Sequence, residues 1–316
     1  MMNLDVNEIQ RVMVIGAGTM GHSIAQVYAQ SGIEVDLVDL QQEILKSAIK
    51  KIKLNLNLLA EYKRIPTDDI PTIINRIRPS TNLEEAAKKA NLVVEAVSED
   101  RNIKRKVYAR LNELCSKDAI FASNTSELNI FNIVDVNNPE RLIIHHWFRP
   151  PHIIPLVEIV AGRKTSPEII DLSYNLLKKL GKTPIILKKF TNAFIVNKIQ
   201  QAINSAVFGL LLKGIATPEE IDLAVKTSFS LRLPVVGVVQ NLDFVGLDVV
   251  SDVLKNMGLE LSIIKDKVDQ GQYGVKTSKG IYDYSGRSEE EIMRKKDEKY
   301  LKILDFLERL NVFEPV

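Results

Sequence analysis

The feature that most narrows what this chain can fold into is a set of glycines at 16, 18 and 21, placed between two unlike patterns. Before it, residues 11–15 form a short apolar run with valine at alternate places, which suits a buried parallel strand. After it, Ile24, Ala25, Val27, Tyr28 and Ala29 are spaced like a helix that Ser31 and Gly32 stop. A second strand is expected over 34–38, and it ends on an acid, Asp39. The spacing G-x-G-x-x-G alone is a weak signal. Opening a helix straight after a strand, with an acid about 20 residues on, it marks a dinucleotide site. Gly16 permits the tight turn, Gly18 lets backbone approach a pyrophosphate, and Gly21 lets helix and strand pack closely. The diphosphate would rest on unpaired N–H groups at the helix start, where Thr19 and Met20 lie. Asp39 is suited to accept hydrogen bonds from the adenosine ribose and to repel a 2′-phosphate. Leu40, Gln41 and Gln42 offer no arginine to neutralise one, which favours NAD over NADP. The competing reading is a glycine turn that binds nothing.

Further along, strand and helix signals alternate. A long helix is expected over 42–64, then a turn bounded by Pro66 and Pro71 and a further short helix. Strands follow over 92–97, 119–122, 141–145, 153–160 and 183–187, with helices over 103–114 and 167–180 and a polar loop at 123–126. This alternation predicts an α/β fold with a doubly wound, Rossmann-type sheet. Beyond about 188 only helices are expected, over 192–213, 218–226, 247–257 and 289–310, with Asn192 as an N-cap. The chain therefore divides into a dinucleotide-binding domain over 1–188 and an all-helical C-terminal domain over 189–316. Its 316 residues suffice for two cores.

Composition excludes several classes. A formal net charge of +2 is too balanced for a nucleic-acid partner. The single cysteine, Cys115, excludes an intrachain disulfide, and no apolar run approaches a membrane span. The N-terminus does not read as a signal peptide, so a cytoplasmic protein with no membrane partner is expected. No spacing of His, Cys, Asp or Glu suggests a metal site.

Residues 141–160 carry the candidate chemistry. Two β-branched runs flank Pro150 and Pro151, which force a turn. Glu158 sits among Leu156, Val157, Ile159 and Val160, and a buried carboxylate needs a partner. If the strands lie side by side, His146 is that partner, and a carboxylate-held imidazole is a general base with a fixed tautomer. Otherwise His146 is a core histidine and Glu158 a rim glutamate that never meet.

With these pieces in place, the chain resembles the L-3-hydroxyacyl-CoA dehydrogenase family over nearly its whole length. The matching segments are 14–21, Val93-Val94-Glu95-Ala96-Val97 with Glu99 and Asp100, Ser123-Asn124-Thr125-Ser126, and His146 with Leu156-Val157-Glu158. Phe194-Ile195-Val196-Asn197-Lys198, Asp243-Phe244-Val245-Gly246-Leu247-Asp248 and Lys279-Gly280-Ile281-Tyr282-Asp283-Tyr284 match further on. The resemblance implies NAD-dependent oxidation of an L-3-hydroxyacyl-CoA to the 3-oxoacyl-CoA, as in fatty-acid β-oxidation. It makes His146 the base, Glu158 its orienting group, Ser126 and Asn197 hydrogen-bonding groups for the substrate oxygens, and Glu99 and Lys104 neighbours of the nicotinamide and its ribose. It also implies a homodimer joined through the helical domain, where Phe194, Ile195, Val196, Ile199, Ile203, Val207, Leu210 and Leu211 are apolar round more of a helix than one core stripe requires.

Plainer readings stand beside these. Ser126 can be a cap serine, Asn197 a solvated helix residue, and Glu99 with Lys104 a surface ion pair. His22, His145 and His152 read as structural or solvated. Lys50, Lys51, Lys53, Lys63 and Arg64 are candidates to meet CoA phosphates or only a solvated face. Two departures from the family pattern bear on substrate. Arg149 stands where the family usually has Asn, and the double proline is closer to a branch containing L-gulonate 3-dehydrogenase (the lens λ-crystallin type) and carnitine dehydrogenase. Gly237-Val238 replaces a Gly-Pro. Arg149 needs either an internal carboxylate such as Glu99 or a substrate anion. A dehydrogenase of a small non-CoA 3-hydroxy acid or carnitine-like alcohol is therefore the second reading, and a non-catalytic NAD-binding or structural protein the third.

Overall fold

The computed structural model describes residues 5–314. They divide into two compact units, the first ending at Ala202 and the second beginning at Ile203. In chain order the first unit contains β1 (Arg11–Ile15), α1 (Gly21–Gln30), β2 (Glu34–Val38), α2 (Gln42–Glu61), α3 (Ile70–Asn75), β3 (Ile77–Ser80) and α4 (Leu83–Ala87). It continues with β4 (Leu92–Glu95), α5 (Arg101–Leu114), β5 (Ile120–Ser123), β6 (Leu142–Trp147), β7 (Leu156–Ala161), α6 (Pro167–Lys179) and β8 (Thr183–Leu187), and reaches into α7 (Val196–Leu212).

The strands form one eight-stranded sheet in the order β3-β2-β1-β4-β5-β6-β7-β8. Strands β1 to β6 run parallel where they pair, and β7 is antiparallel to β6 and parallel to β8. The doubly wound sheet expected from sequence is present, with its reversal of strand order between β1 and β4. Both faces are buried, which is why the strands read as continuous apolar runs. Val12, Val14, Ile143 and Trp147 pack with α1, α2 and α6 on one face. Met13, Ile15, Leu142 and Ile144 pack with α4 and α5 on the other.

The chain departs from expectation at four places here. Strand β3 was not expected because it contains Pro79, which a central strand excludes. β3 lies at the sheet edge, where a missing donor is tolerated. The short helix α4 was likewise not anticipated. β7 starts at Leu156 rather than 153, because residues 150–155 turn: Pro150 O accepts from the N–H groups of Ile153 and Ile154, both 3.0 Å. α7 starts at Val196 rather than Asn192, because Ala193 and Phe194 adopt positive φ (61° and 51°) and cannot continue a helix. The two compact units divide inside α7, whose first residues are hydrogen-bonded to β7.

The second unit holds α8 (Pro218–Ala224), a π-helical turn at Val225–Phe229, α9 (Ser230–Val245), α10 (Leu247–Asn256), α11 (Ser262–Asp269) and α12 (Glu289–Arg309). Helix α9 escaped the sequence reading because Pro234 and Gly237 interrupt its pattern, and Gly237 (φ 66°) breaks the helix there. Two of the sequence motifs meet in this unit. The buried Asp243 carboxylate accepts from the N–H groups of Ile281 and Tyr282 (2.9 Å each) and from the Tyr284 hydroxyl (3.0 Å). Among the described residues no single helix is long and apolar enough to cross a membrane.

Candidate active site

The sheet register sets the site. Ile15 pairs with Glu95, Glu95 with Ser123, and Ser123 with Ile144, so β1, β4, β5 and β6 end along one edge. The loops leaving that edge carry Gly16, Glu99 and Ser126, and His146 lies at the end of β6. Ligands of open α/β sheets bind outside the carboxyl ends of the strands at the reversal of strand order.

Beyond β1 the glycines divide by role. Gly16 has φ +93°, and a Cβ there would come within 2.5 Å of Ala96 O. A Cβ at Gly21 would come within 1.7 Å of Gly16 O. Both are demanded by the fold itself. At Gly18 a Cβ would meet nothing within 4 Å, so packing does not require glycine there and the open backbone suits an approaching diphosphate. Helix α1 begins after Thr19 and Met20 with no side-chain cap, leaving N–H groups for an anion. Asp39 follows β2, half-buried, and its Oδ2 accepts from Ala17 N (2.8 Å). That bond ties the acid to the glycine turn and fixes it beside the diphosphate position. These residues fit a dinucleotide.

His146 and Glu158 are direct partners across β6 and β7, with Nδ1 2.7 Å from Oε2. Both are buried, at 3% and 0% exposure. The carboxylate only accepts, so Nδ1 carries the proton and Nε2 is left as the basic nitrogen. The other oxygen of Glu158 accepts from the backbone N–H groups of Ile195 (3.0 Å) and Val196 (3.1 Å) at the start of α7. A charge buried this deeply is held by three donors and a helix terminus. The His146 ring packs against Phe148 and Phe194, with centroids 4.6 and 5.1 Å away. Phe194 is fully buried here, not on the apolar helix face where the sequence pattern placed it.

Ser126 and Asn197 are both half-buried. Neither the Ser126 hydroxyl nor the Asn197 amide has a hydrogen-bond partner among the described residues. Asn197 is the second residue of α7, directly after Val196, whose N–H holds Glu158. Ser126 belongs to the loop after β5, which Asn124 fastens next to the histidine by accepting from Trp147 N (3.0 Å). Asn124 lay in a recognised motif but received no role from sequence.

Of Glu99 and Lys104 only Glu99 reaches the surface. Lys104 is 1% exposed, and its Nζ lies 2.7 Å from Glu95 Oε1 and 3.2 Å from Glu99 Oε2. Glu95, fully buried, also accepts from Ser123 Oγ (2.6 Å) and Val97 N (3.0 Å). Glu99 accepts from the Thr125 hydroxyl and from Ser126 N (2.9 Å), so this network fixes the loop that carries Ser126. Burial pushes the Glu99 carboxyl up, but the Thr125 hydrogen bond and the Lys104 charge outweigh it and hold it below the ordinary range. Glu95 stands in a matching segment but has no role in the sequence reading. Its signal was the one that exposed Glu158, a carboxylate inside an apolar strand.

With Glu99 engaged, the expected internal partner for Arg149 is corrected: Arg149 is exposed and has no acidic partner among the described residues. The turn that carries it is held from two sides. Ser23 Oγ bonds His152 at both the backbone N (3.1 Å) and Nδ1 (2.8 Å), and Lys182 Nζ donates to Pro151 O and to Ile154 O (3.1 Å). Desolvation lowers the Lys182 pKa to about 8. His22 Nδ1 donates to Gly18 O (2.7 Å), and burial lowers its pKa. Lys50, Lys51, Lys53, Lys63 and Arg64 are all exposed, and Lys63 adopts φ 54° just beyond α2. No group of three or more potential metal-ligating side chains occurs among the described residues.

Comparison with known proteins agrees with this arrangement. Residues 11–190 match the model of the 3-hydroxyacyl-CoA dehydrogenase NAD binding domain, and residues 194–284 that of its C-terminal domain. A probable 3-hydroxybutyryl-CoA dehydrogenase of Bacillus subtilis is 33% identical over 291 residues, covering 89% of this chain and 99% of that protein. A 5-formyl-3-hydroxy-2-methylpyridine 4-carboxylate 5-dehydrogenase of Mesorhizobium japonicum is 28% identical over 309 residues, covering 95% and 99%. The crystal structure of a 3-hydroxyacyl-CoA dehydrogenase from Archaeoglobus fulgidus superposes with a TM-score of 0.78 at 31% identity, over 94% of this chain and 99% of that one. With both family domains matched in order, and a buried histidine–carboxylate pair beside a dinucleotide cradle, the chain belongs to the 3-hydroxyacyl-CoA dehydrogenase family.

Proposed function

We propose that this protein oxidises L-3-hydroxyacyl-CoA substrates to 3-oxoacyl-CoA with NAD, using His146 as the general base. The observation that carries this is the His146–Glu158 pair, whose free Nε2 shares the carboxyl edge of the sheet with the unpartnered Ser126 hydroxyl and Asn197 amide. Gly16, Gly18, Thr19, Met20, Gly21 and Asp39 would hold the dinucleotide. Held there, the nicotinamide would supply the acceptor for the hydride of C3. His146 Nε2 takes the proton of the 3-hydroxyl, and Glu158 stabilises the imidazolium that results. Ser126 and Asn197 donate to the substrate oxygens and fix C3 at the distance transfer requires. The Glu95–Lys104–Glu99 network keeps the Ser126 loop in place. The test is NADH absorbance with acetoacetyl-CoA on one side and free 3-hydroxy acids such as L-gulonate on the other. Turnover of acetoacetyl-CoA supports the proposal, and turnover of the free acids alone overturns it.

One observation favours a second reading, a small non-CoA 3-hydroxy acid as substrate. Arg149 is a permanent charge three residues beyond His146 with no protein carboxylate to meet it. The 28% identical dehydrogenase from Mesorhizobium japonicum is itself named for a pyridine carboxylate.

The proposal includes assembly and placement. Ile195, Ile199, Phe208, Leu210 and Leu211 on and beside α7 are each at least 39% exposed and spread round more than one side of the helix, apolar surface suited to a second copy of the chain. A single-chain mass by light scattering at micromolar concentration contradicts it. The lone cysteine suits a reducing, cytoplasmic setting.

A further inference from the structure

Where β6 begins and β7 and β8 end, the first unit carries a second cavity, of about 1180 Å³. It lies at the end of the sheet away from His146. Arg163, Lys164, Lys188 and Lys189 line it, opposed by one carboxylate, Asp135. All four cations are without an ion pair among the described residues, so they repel one another and draw in a multiply charged anion.

The remaining lining narrows the ligand. Phe131 and Phe190 supply aromatic surface. Asn129 lines the same cavity; its Oδ1 is turned out of solvent with no hydrogen-bond donor, a costly state that rotation of the amide towards a ligand N–H or O–H would relieve. Phosphates for the cations, a flat body for the phenylalanines and a donor for Asn129 together describe a nucleoside polyphosphate. The volume is ample for one.

The cavity is also joined to the histidine. Phe190 meets Phe194 edge-on, centroids 5.9 Å apart, and Phe194 lies 5.1 Å from the His146 ring. The same segment runs on to Ile195 and Val196, whose N–H groups hold Glu158. Residues 188–196 therefore touch the cavity at one end and the His146–Glu158 pair at the other.

We propose that this cavity is an effector site for a nucleoside polyphosphate, and that its occupancy is transmitted through Phe190 and Phe194 to His146. The binding is independent of the proposed reaction; its consequence for turnover rests on His146 being the base. Transmission needs a direct measurement rather than spatial adjacency. The experiment uses the full chain saturated with NADH, so that the dinucleotide cradle is blocked. ATP and, separately, inorganic pyrophosphate are titrated in by calorimetry, and the His146 ring resonance is followed by NMR with labelled histidine. Only four histidines are present, and His146→Gln assigns the signal. The expected result is one ATP per chain, bound at least tenfold more tightly than pyrophosphate and weakened at least tenfold in Arg163→Ala/Lys188→Ala. ATP should move the His146 resonance in the wild type and not in Phe190→Leu. The proposal is overturned by absent or non-saturable binding, by pyrophosphate binding as tightly as ATP, by binding indifferent to the double variant, or by a His146 resonance that ATP does not move. None of these readouts requires turnover, so failure of the proposed reaction is seen separately.

Discussion

Glu158 receives His146 on one oxygen and the start of α7 on the other: Nδ1 of the histidine at 2.7 Å, and the N–H groups of Ile195 and Val196 at 3.0 and 3.1 Å. The group that fixes the base is thus itself fixed by the chain segment that presents Asn197. In the proposed reaction, one buried carboxylate would thus place both the base and the amide that binds substrate.

Replacing Glu158 by Gln tests that arrangement. A glutamine oxygen can keep the two backbone donors, but its amide nitrogen then presents hydrogen to His146 Nδ1 and forces the proton onto Nε2. kcat should fall roughly 10²–10⁴-fold with the NADH dissociation constant nearly unchanged. A kcat within a few-fold of wild type would mean that the tautomer does not matter.

The Glu95–Lys104 pair predicts a stability effect. Lys104→Met leaves a fully buried carboxylate without its cation, a change that typically costs about 3–5 kcal/mol. Urea denaturation of the two proteins measures it, and a loss below about 1 kcal/mol contradicts the network described here.

His145 faces away from the site, fully buried, with neither ring nitrogen hydrogen-bonded, and desolvation lowers its pKa from 6.5 to about 3. Between those two values the unfolded chain binds a proton that the folded chain refuses, so stability falls as pH drops from 6.5 towards 3. The cost reaches roughly 4 kcal/mol at the acid end. His145→Leu removes this cost and the two unpaired polar atoms. Its stability advantage, measured by denaturation across pH 4–8, should widen towards acid; parallel curves would show that His145 does not titrate as described.

Arg149→Asn installs the residue the family usually carries. If Arg149 binds a substrate anion, KM for the native substrate should rise more than kcat falls, and preference should shift towards acyl-CoA. Steady-state kinetics on both substrate classes decide it. An unchanged KM and substrate ranking make Arg149 a surface residue.

Much of this was legible in the sequence, and the reasons for the rest are physical. Gly16, Gly21 and Asp39 act over short chain distances, so spacing reveals them. His146 and Glu158 are readable because a carboxylate among apolar residues demands a partner and one candidate lay across a turn. Glu95 made the same demand, but its partner Lys104 stands in a helix beside Arg101, Arg105 and Lys106 and so looks like one more solvated charge. The bond between Ser23 and His152 spans 129 residues and leaves no local pattern. Phe194 was assigned to an exposed helix face because its positive φ, which ends any helix before it, has no signature in an apolar run. Pro79 hid β3 for the opposite reason: a proline strand is readable only when the sheet edge is known.

If His146 removes the substrate proton, His146→Gln should lose turnover and keep the dinucleotide. Turnover by NADH absorbance and NADH affinity by fluorescence titration are measured on the same preparation. The expected result is a fall in kcat of at least ~10²-fold with NADH affinity within about twofold of wild type. A variant that keeps near-normal kcat would contradict it, and the base would have to be sought elsewhere along the carboxyl edge of the sheet.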